Sequence, residues 1–165
     1  MKQHVTSFEI AVFYGTLVVW EPSHRENISY LEERQAPGFA WEAGNVNFDT
    51  FGECSHAFIE VCQADEVSLK LDTLRAILVP FSVVQSGVLV TSILFPKNEE
   101  VRVPIPEGSY ALVFEMKLRD DEAYFNSSWY QYDLITSLRG VWCRLTFIPK
   151  ESVEPEILRE EVEPV

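Results

Sequence analysis

Strand-like stretches recur along this chain, and turns rich in proline and glycine separate them. Most of them alternate apolar with polar residues, and residues 73–84 form one long apolar run. A period of two residues places successive side chains on opposite faces of a strand, so each stretch can bury one face. The stretches cover residues 7–20, 45–50, 55–62, 73–84, 88–95, 99–105, 109–118 and 141–148. Strands at this spacing are typical of two packed antiparallel sheets. The sequence therefore predicts an all-β fold, an antiparallel β-sandwich.

The stretch at residues 55–62 gives the expected burial pattern in detail. Ala57, Ile59 and Val61 alternate with other side chains, so we expect them to lie in the core and Glu60 to lie in solvent.

Two short turns predict β-hairpins. Residues 85–87, Gln-Ser-Gly, and residues 106–108, Pro-Glu-Gly, each separate two of the alternating stretches. Turn residues of this kind between two strands indicate that the strands pair with each other.

Helix signals are few in this chain. Ser29 and Glu32 have the spacing of a capping box, which predicts one short helix near residues 29–36. Residues 120–140 lack a regular period, and we expect a long loop there with one short strand near Tyr130 to Leu134.

The length of 165 residues is that of one domain with a tail. We assign a single β-sandwich domain to residues 1–150. Residues 151–165 contain six glutamates and a single arginine and show no strand period. The sequence predicts a mobile acidic tail there, which is dispensable for folding.

The net charge of −13 disfavours direct binding to nucleic acid, because the chain repels a phosphate backbone. No apolar stretch is long enough to cross a bilayer, and no secretory signal is recognisable. The three cysteines, Cys54, Cys62 and Cys143, form an odd number. Reduced thiols are expected in the cytoplasm, and we predict that location without membrane insertion.

Catalytic and cofactor motifs are missing from the sequence. It contains no nucleophile elbow, glycine-rich phosphate loop or dinucleotide fingerprint. Cys54 and His56 share a strand face, but two ligands do not make a metal site. We therefore predict a protein that is not an enzyme, with no catalytic residues, no bound metal and no cofactor.

Five acidic residues are the candidate partner-binding site, and we call them the acid cluster: Glu99, Glu100, Asp120, Asp121 and Glu122. They flank the two strands that the turn at residues 106–108 joins, so a hairpin would bring them to the same end. Like charges gathered in one place repel, and a basic protein partner would relieve that repulsion. The alternative is a solubilising cluster with no partner.

Aromatic residues are dense between Tyr124 and Tyr132. They fit either a lid over the core or an exposed contact surface, since tyrosine and tryptophan are frequent at binding hot spots. An alternative function follows from the tryptophans, namely a small-ligand-binding β-sandwich whose cleft is lined by Trp41, Trp129 and Trp142.

Several stretches resemble the competence protein J family, whose members are known as inhibitors of a DNA-entry nuclease. The resemblance is carried by residues 37–48 (PGFAWEAGNVNF), 57–61 (AFIEV), 79–83 (VPFSV) with Gly87 and Val88, and 101–112 (VRVPIPEGSYAL). It covers roughly residues 8–118, and residues 119–140 follow no recognisable pattern.

The resemblance implies a small cytosolic inhibitor that binds a nuclease. It assigns a role to no individual residue. A nuclease must attract phosphate, so the mouth of its active site is usually basic. The acid cluster could therefore present carboxylates where phosphates would lie.

Overall fold

Twelve strands and two short helices make up the part of the chain that the structure describes. The structure is a computed structural model, and it describes residues 2–12, 15–23, 35–36, 38–42, 44–50, 54–92 and 100–160. The strands are β1 (Gln3–Ala11), β2 (Thr16–Trp20), β3 (Gln35–Ala36), β4 (Phe39–Glu42), β5 (Asn45–Asp49), β6 (His56–Gln63), β7 (Arg75–Val83), β8 (Val88–Ser92), β9 (Val101–Val103), β10 (Gly108–Leu118), β11 (Val141–Pro149) and β12 (Glu156–Glu160). The helices are α1 (Glu122–Phe125) and α2 (Ser128–Thr136).

The strands form two six-stranded sheets. Sheet A has the order β1-β6-β11-β10-β7-β12, and sheet B has the order β3-β4-β5-β2-β8-β9. All neighbouring strands are antiparallel except β6 and β11, which run parallel. The predicted all-β sandwich is confirmed, with this one parallel pair inside sheet A.

The main core lies between the two sheets and contains one face of nearly every strand. Ala57, Ile59 and Val61 are fully buried there, as the alternation predicts. Phe48 of sheet B and Phe114 of sheet A stack with their ring centroids 4.4 Å apart, which joins the two sheets at the centre. Glu60 is half-buried rather than solvated, because it accepts a hydrogen bond from the indole of Trp142 at 3.1 Å.

Both predicted hairpins are wrong. Strand β7 belongs to sheet A and β8 to sheet B, and β9 and β10 are divided in the same way. The turns at residues 85–87 and 106–108 therefore carry the chain from one sheet to the other. Gly87 suits this crossing because its φ of 101° is a left-handed conformation that other residues rarely adopt.

Sheet A also has a covered outer face. At one end of it, a second apolar cluster contains Ala64, Leu78, Ala111, Val113 and Ile148, and Leu69, Val153 and Leu158 pack against it. The last two of these residues come from the C-terminal segment, which continues into β12.

The C-terminal segment differs from the prediction of a tail without strand structure. Residues 156–160 form β12, which pairs antiparallel with β7 at the edge of sheet A. The guanidinium of Arg159 donates to the carbonyls of Lys70 and Thr73 at 3.1 and 2.9 Å. Only a few apolar side chains of this segment, among them Val153 and Leu158, pack inward. The many glutamates therefore obscure the strand period in the sequence.

The two helices of the described residues lie in a segment for which the sequence predicts a loop. Of the helix expected near residues 29–36, residues 29–34 lie outside the described part, and Gln35–Ala36 form β3. Residues 120–140 hold α1 and α2 instead of a loop with a strand near Tyr130. No helix in the described ranges is long and apolar enough to cross a membrane.

Candidate functional site

Residues 119–140 connect β10 to β11 and carry both helices, and we call this segment the helical connection. It lies against the end of sheet A's outer face at which β6 begins. The contact centres on His56, which is fully buried and stacks on Trp129 with ring centroids 4.5 Å apart. The pair Cys54 and His56 indicates at most an incomplete metal site, so the sequence carries no signal that His56 packs against the helical connection.

The hydrogen bonds of His56 fix its tautomer. Its Nε2 lies 3.0 Å from Nη1 of Arg119, and its Nδ1 lies 2.9 Å from the hydroxyl of Ser55. A guanidinium can only donate, so Nε2 accepts and the proton is on Nδ1. Burial, together with the positive charge of Arg119, lowers the pKa of His56, which keeps the ring neutral.

Arg119 connects three elements at this point. Its side chain is 3% exposed and forms ion pairs with Glu9 of β1 at 2.9 Å and with Asp121 at 2.8 Å. The hydrogen bond from Arg119 holds the pKa of Asp121 below its usual value. Asp121 also caps α1 by accepting from the backbone N–H of Tyr124. The guanidinium thus ties β1 and β6 to the first helix.

The second anchor joins the two helices. Tyr124 is fully buried, and its hydroxyl donates to Oδ2 of Asp133 at 2.6 Å. Burial and this hydrogen bond raise the pKa of Tyr124. Gly140 lies so close to the ring of His56 that a Cβ there would be 2.4 Å from Cε1. The helical connection is therefore held mainly by polar and aromatic contacts.

Helix α2 is inverted relative to an ordinary surface helix. Its one buried residue is Asp133, whereas Leu134 and Ile135 are 65% and 84% exposed. Phe125 of α1 and Tyr132 of α2 are also exposed, at 43% and 48%. A surface helix normally turns its apolar side chains toward the core. We call Phe125, Tyr132, Leu134 and Ile135 the apolar face of the helical connection.

The apolar face continues through partly buried rings. Phe125 contacts Tyr130 at a centroid distance of 5.1 Å, and Trp129 contacts Tyr132 at 6.1 Å. Tyr130 and Leu134 are four residues apart in α2, so they lie on the same side of the helix. The aromatic segment is thus both a lid and a surface, because Tyr124 points inward while its neighbours are exposed.

Three members of the acid cluster lie at the start of α1, the helix that carries Phe125. The side chains of Asp120 and Asp121 are 66% and 48% exposed, and Glu122 is an exposed residue at the start of α1. Asp121 is already paired with Arg119. Asp120 lies 3.7 Å from Lys117. Among these three, Glu122 has its charge directed to solvent without an ion pair in the described residues.

The other two members do not join them through the predicted hairpin. Glu100 precedes β9 in sheet B and is half-buried, while Asp120 follows β10 in sheet A. Glu99 lies outside the described residues. The pairing that was expected to bring Glu100 beside Asp120 is wrong, because β9 and β10 belong to different sheets.

The predicted tryptophan cleft is not formed as one site. Trp41 packs against the core between the sheets, whereas Trp142 lies on the outer face of sheet A beneath Lys70. A surface cavity of about 600 Å³ lies elsewhere, lined by Ser86, Gly87, Arg102, Pro104, Ile105 and Pro106. The structure therefore does not favour the ligand-binding alternative.

The remaining candidates for chemistry are buried or scattered. Cys54, Cys62 and Cys143 are free and buried, and burial raises the pKa of each thiol. No group of three or more histidine, cysteine, aspartate or glutamate side chains in the described ranges is arranged to hold a metal ion. The helical connection is thus the candidate functional site.

Comparison with known proteins gives a family and two similar folds. The model of the competence protein J family, ComJ, matches residues 9–148. The crystal structure of ComJ from Bacillus subtilis, described as an inhibitor of the DNA degrading activity of NucA, matches with a TM-score of 0.58 and 16% identity. The match covers 90% of this chain and 99% of that chain.

A second solved structure, described as crocagin biosynthetic gene J, matches with a TM-score of 0.59 and 10% identity over 92% of this chain and 99% of that chain. None of the curated proteins compared with the chain matches it. At these identities, the two structural matches show a shared fold.

Proposed function

Because this chain belongs to the competence protein J family, we propose that it is a non-catalytic protein that binds a nuclease and inhibits it. The support is the family match together with the fold shared with the NucA inhibitor of Bacillus subtilis. The partner we propose is a nuclease with a basic DNA-binding face.

The contact surface that we propose is the helical connection. Its support is that this segment exposes apolar side chains and begins with the acids Asp120, Asp121 and Glu122. A nuclease concentrates positive charge where DNA phosphates lie. Carboxylates at Asp120 and Glu122 would meet that charge, and the net charge of −13 would speed association at low salt. Glu99 and Glu100 stay candidate contacts of the same kind.

The proposed site of action is the cytoplasm, and the proposed target is the nuclease itself rather than its DNA. Three free thiols support a reducing compartment. The acidic charge supports inhibition without direct binding to nucleic acid.

The test is inhibition of DNA cleavage by NucA and by the NucA-like nuclease of this chain's own organism. Asp120→Lys with Glu122→Lys reverses two exposed charges without touching the Arg119 pair. Asp65→Lys with Glu66→Lys is the matched control, since both acids are exposed and lie at the opposite end of sheet A. Association rates are measured at about 50 and about 300 mM salt, where screening differs strongly.

We expect the first variant to associate with the nuclease at least tenfold more slowly at low salt and the control to associate like the wild type. The difference should shrink at high salt. Equal association rates for both variants would exclude Asp120 and Glu122 as contacts. A wild-type protein that inhibits neither nuclease would overturn the proposed function itself.

A further inference from the structure

The apolar face of the helical connection buries little of its apolar area in the fold, above all at Leu134 and Ile135. Leu134 and Ile135 are among the most exposed large apolar side chains in the described residues, at 65% and 84%. Four such side chains lie within eleven residues of sequence. Phe125 contacts Tyr130, and Leu134 lies on the same side of α2 as Tyr130, so Phe125, Tyr130 and Leu134 form one apolar strip beside Ile135. Contiguous exposed apolar surface with a polar border marks a protein interaction site.

The burial of Asp133 explains why α2 faces this way. Its carboxylate accepts from the hydroxyl of Tyr124, so the inward side of α2 carries the polar anchor. With Asp133 inside, the turn of about 100° per residue carries Leu134 to the flank of α2 and Ile135 to the side away from sheet A. The orientation is thus built into the structure and does not result from a loosely held segment.

We propose that the apolar face of the helical connection is the centre of the contact with the nuclease, and that the neighbouring acids form its border. This inference rests on the proposed function and adds the part of the surface that sets the lifetime of the complex. Interface cores are apolar and aromatic, and charged residues lie at the rim. Phe125, Leu134 and Ile135 would supply the core.

Charge decides between a nuclease and a second copy of this chain as the occupant. Asp120, Asp121 and Glu122 stand at the N-terminal end of α1, the helix that carries Phe125 of the apolar face. In a symmetric dimer the same patch meets itself, which would bring two sets of these acids together. A basic nuclease surface instead complements them, with an apolar area bordered by lysine or arginine.

The test separates the core of the contact from its border by kinetics. Leu134→Gln with Ile135→Gln removes the apolar side chains but keeps good helix formers. Leu71→Gln with Val84→Gln is the matched control, because these residues are 98% and 59% exposed and lie outside the helical connection. The full-length proteins are compared for binding to NucA and to the NucA-like nuclease. Sedimentation of each protein without nuclease measures its oligomeric state.

We expect the Leu134 and Ile135 variant to dissociate at least tenfold faster, with an association rate within twofold of the wild type at either salt concentration. The control variant should match the wild type in both rates. Interface cores act mainly on dissociation, whereas rim charges act mainly on association.

Two results would overturn the inference while leaving the proposed function intact. One is a variant that inhibits as tightly as the wild type. The other is a wild-type dimer that the same substitutions convert to a monomer, since the occupant would then be a second copy. A wild type that binds no nuclease would overturn both the proposed function and this inference.

Discussion

The outer face of sheet A is covered at its two ends in opposite ways. At the end where β6 finishes, the C-terminal segment turns Val153 and Leu158 inward onto an apolar cluster. At the end where β6 begins, the helical connection turns Tyr124 and Asp133 inward and leaves Leu134 and Ile135 exposed. One cover buries its apolar side chains, and the other presents them.

The difference separates a segment that stabilises the fold from one that we propose for recognition. Burial of apolar area stabilises a fold in proportion to the area removed from water. The C-terminal cover gains this stabilisation. The helical connection buries less of its apolar area. Hydrogen bonds and ion pairs around His56 and Arg119 hold it in place instead. We propose that the apolar area left exposed in the monomer is buried in the complex with the nuclease.

The largest loss of stability is expected from a substitution at the centre of sheet A's outer face, between the C-terminal segment and the helical connection. Glu115 and Arg144 are 1% and 5% exposed and form an ion pair, and Glu115 also accepts from Thr73 at 2.8 Å. Glu115→Ala would leave the guanidinium buried without its partner, which costs about 3–5 kcal/mol of unfolding free energy. Urea unfolding checks this.

Asp72→Ala is the control for that prediction. Asp72 pairs with Lys117 at 2.6 Å but is 59% exposed, and such surface pairs contribute about 0–1 kcal/mol. If the two variants lose equal stability, the centre of the face is not the structural anchor that we describe.

Removal of residues 152–165 should cause the next largest loss. The sequence alone predicts little change, but the structure places β12 against β7 and Leu158 against the apolar cluster. Lost burial and the lost hydrogen bonds of Arg159 amount to about 2–4 kcal/mol. Thermal unfolding should show a clear fall in Tm.

A shorter deletion of residues 161–165 keeps β12 and serves as the control. Its Tm should stay close to that of the full chain. Equal Tm values for the full chain and the long deletion would show that the C-terminal segment does not stabilise the fold, which would remove the contrast between the two ends.

The third prediction concerns pH at the helical connection. Burial and Arg119 lower the pKa of His56 below its ordinary value of 6.5. As the pH falls below 6.5, the unfolded chain takes up a proton before the folded protein does. The stability is therefore full above pH 6.5 and declines below it, by at most about 1.4 kcal/mol per pH unit for one proton.

The charged and titratable groups facing His56 are Arg119, Asp121, Tyr124 and Asp133, with Glu9 from β1. His56→Gln keeps an acceptor for Arg119 but does not titrate in this range. Urea unfolding between pH 5 and 7.5 should give a flatter slope for this variant than for the wild type. Equal slopes would assign the pH dependence to another group.

The strands were predictable from local pattern, but their partners were not. Residues 55–62 and 141–148 show the period of two that a half-buried strand requires, and both form strands. The glycine turn at residues 85–87 has the composition of a hairpin turn, yet it crosses between sheets. Turn residues permit a reversal of the chain without specifying which sheet receives the next strand.

The helical connection was missed for two physical reasons. Its tyrosines and tryptophan favour strands by intrinsic preference, and this preference hid α2. Asp121 and Ser127 are N-caps, and they were the available signal for both helices. The network itself has no local signature, since Arg119 pairs with Glu9, which is 110 positions away in sequence.

The smallest effect on stability is expected from the substitutions that should weaken nuclease binding most. Leu134→Gln and Ile135→Gln alter side chains that are 65% and 84% exposed, so little burial is lost on substitution. Glutamine is a good helix former, and the combined change should stay within about 0.5 kcal/mol. Urea unfolding of the double variant measures it. A loss of about 2 kcal/mol or more would mean that the apolar face packs inward in solution. The two covers of sheet A would then both serve stability, and the contrast on which the binding surface rests would disappear.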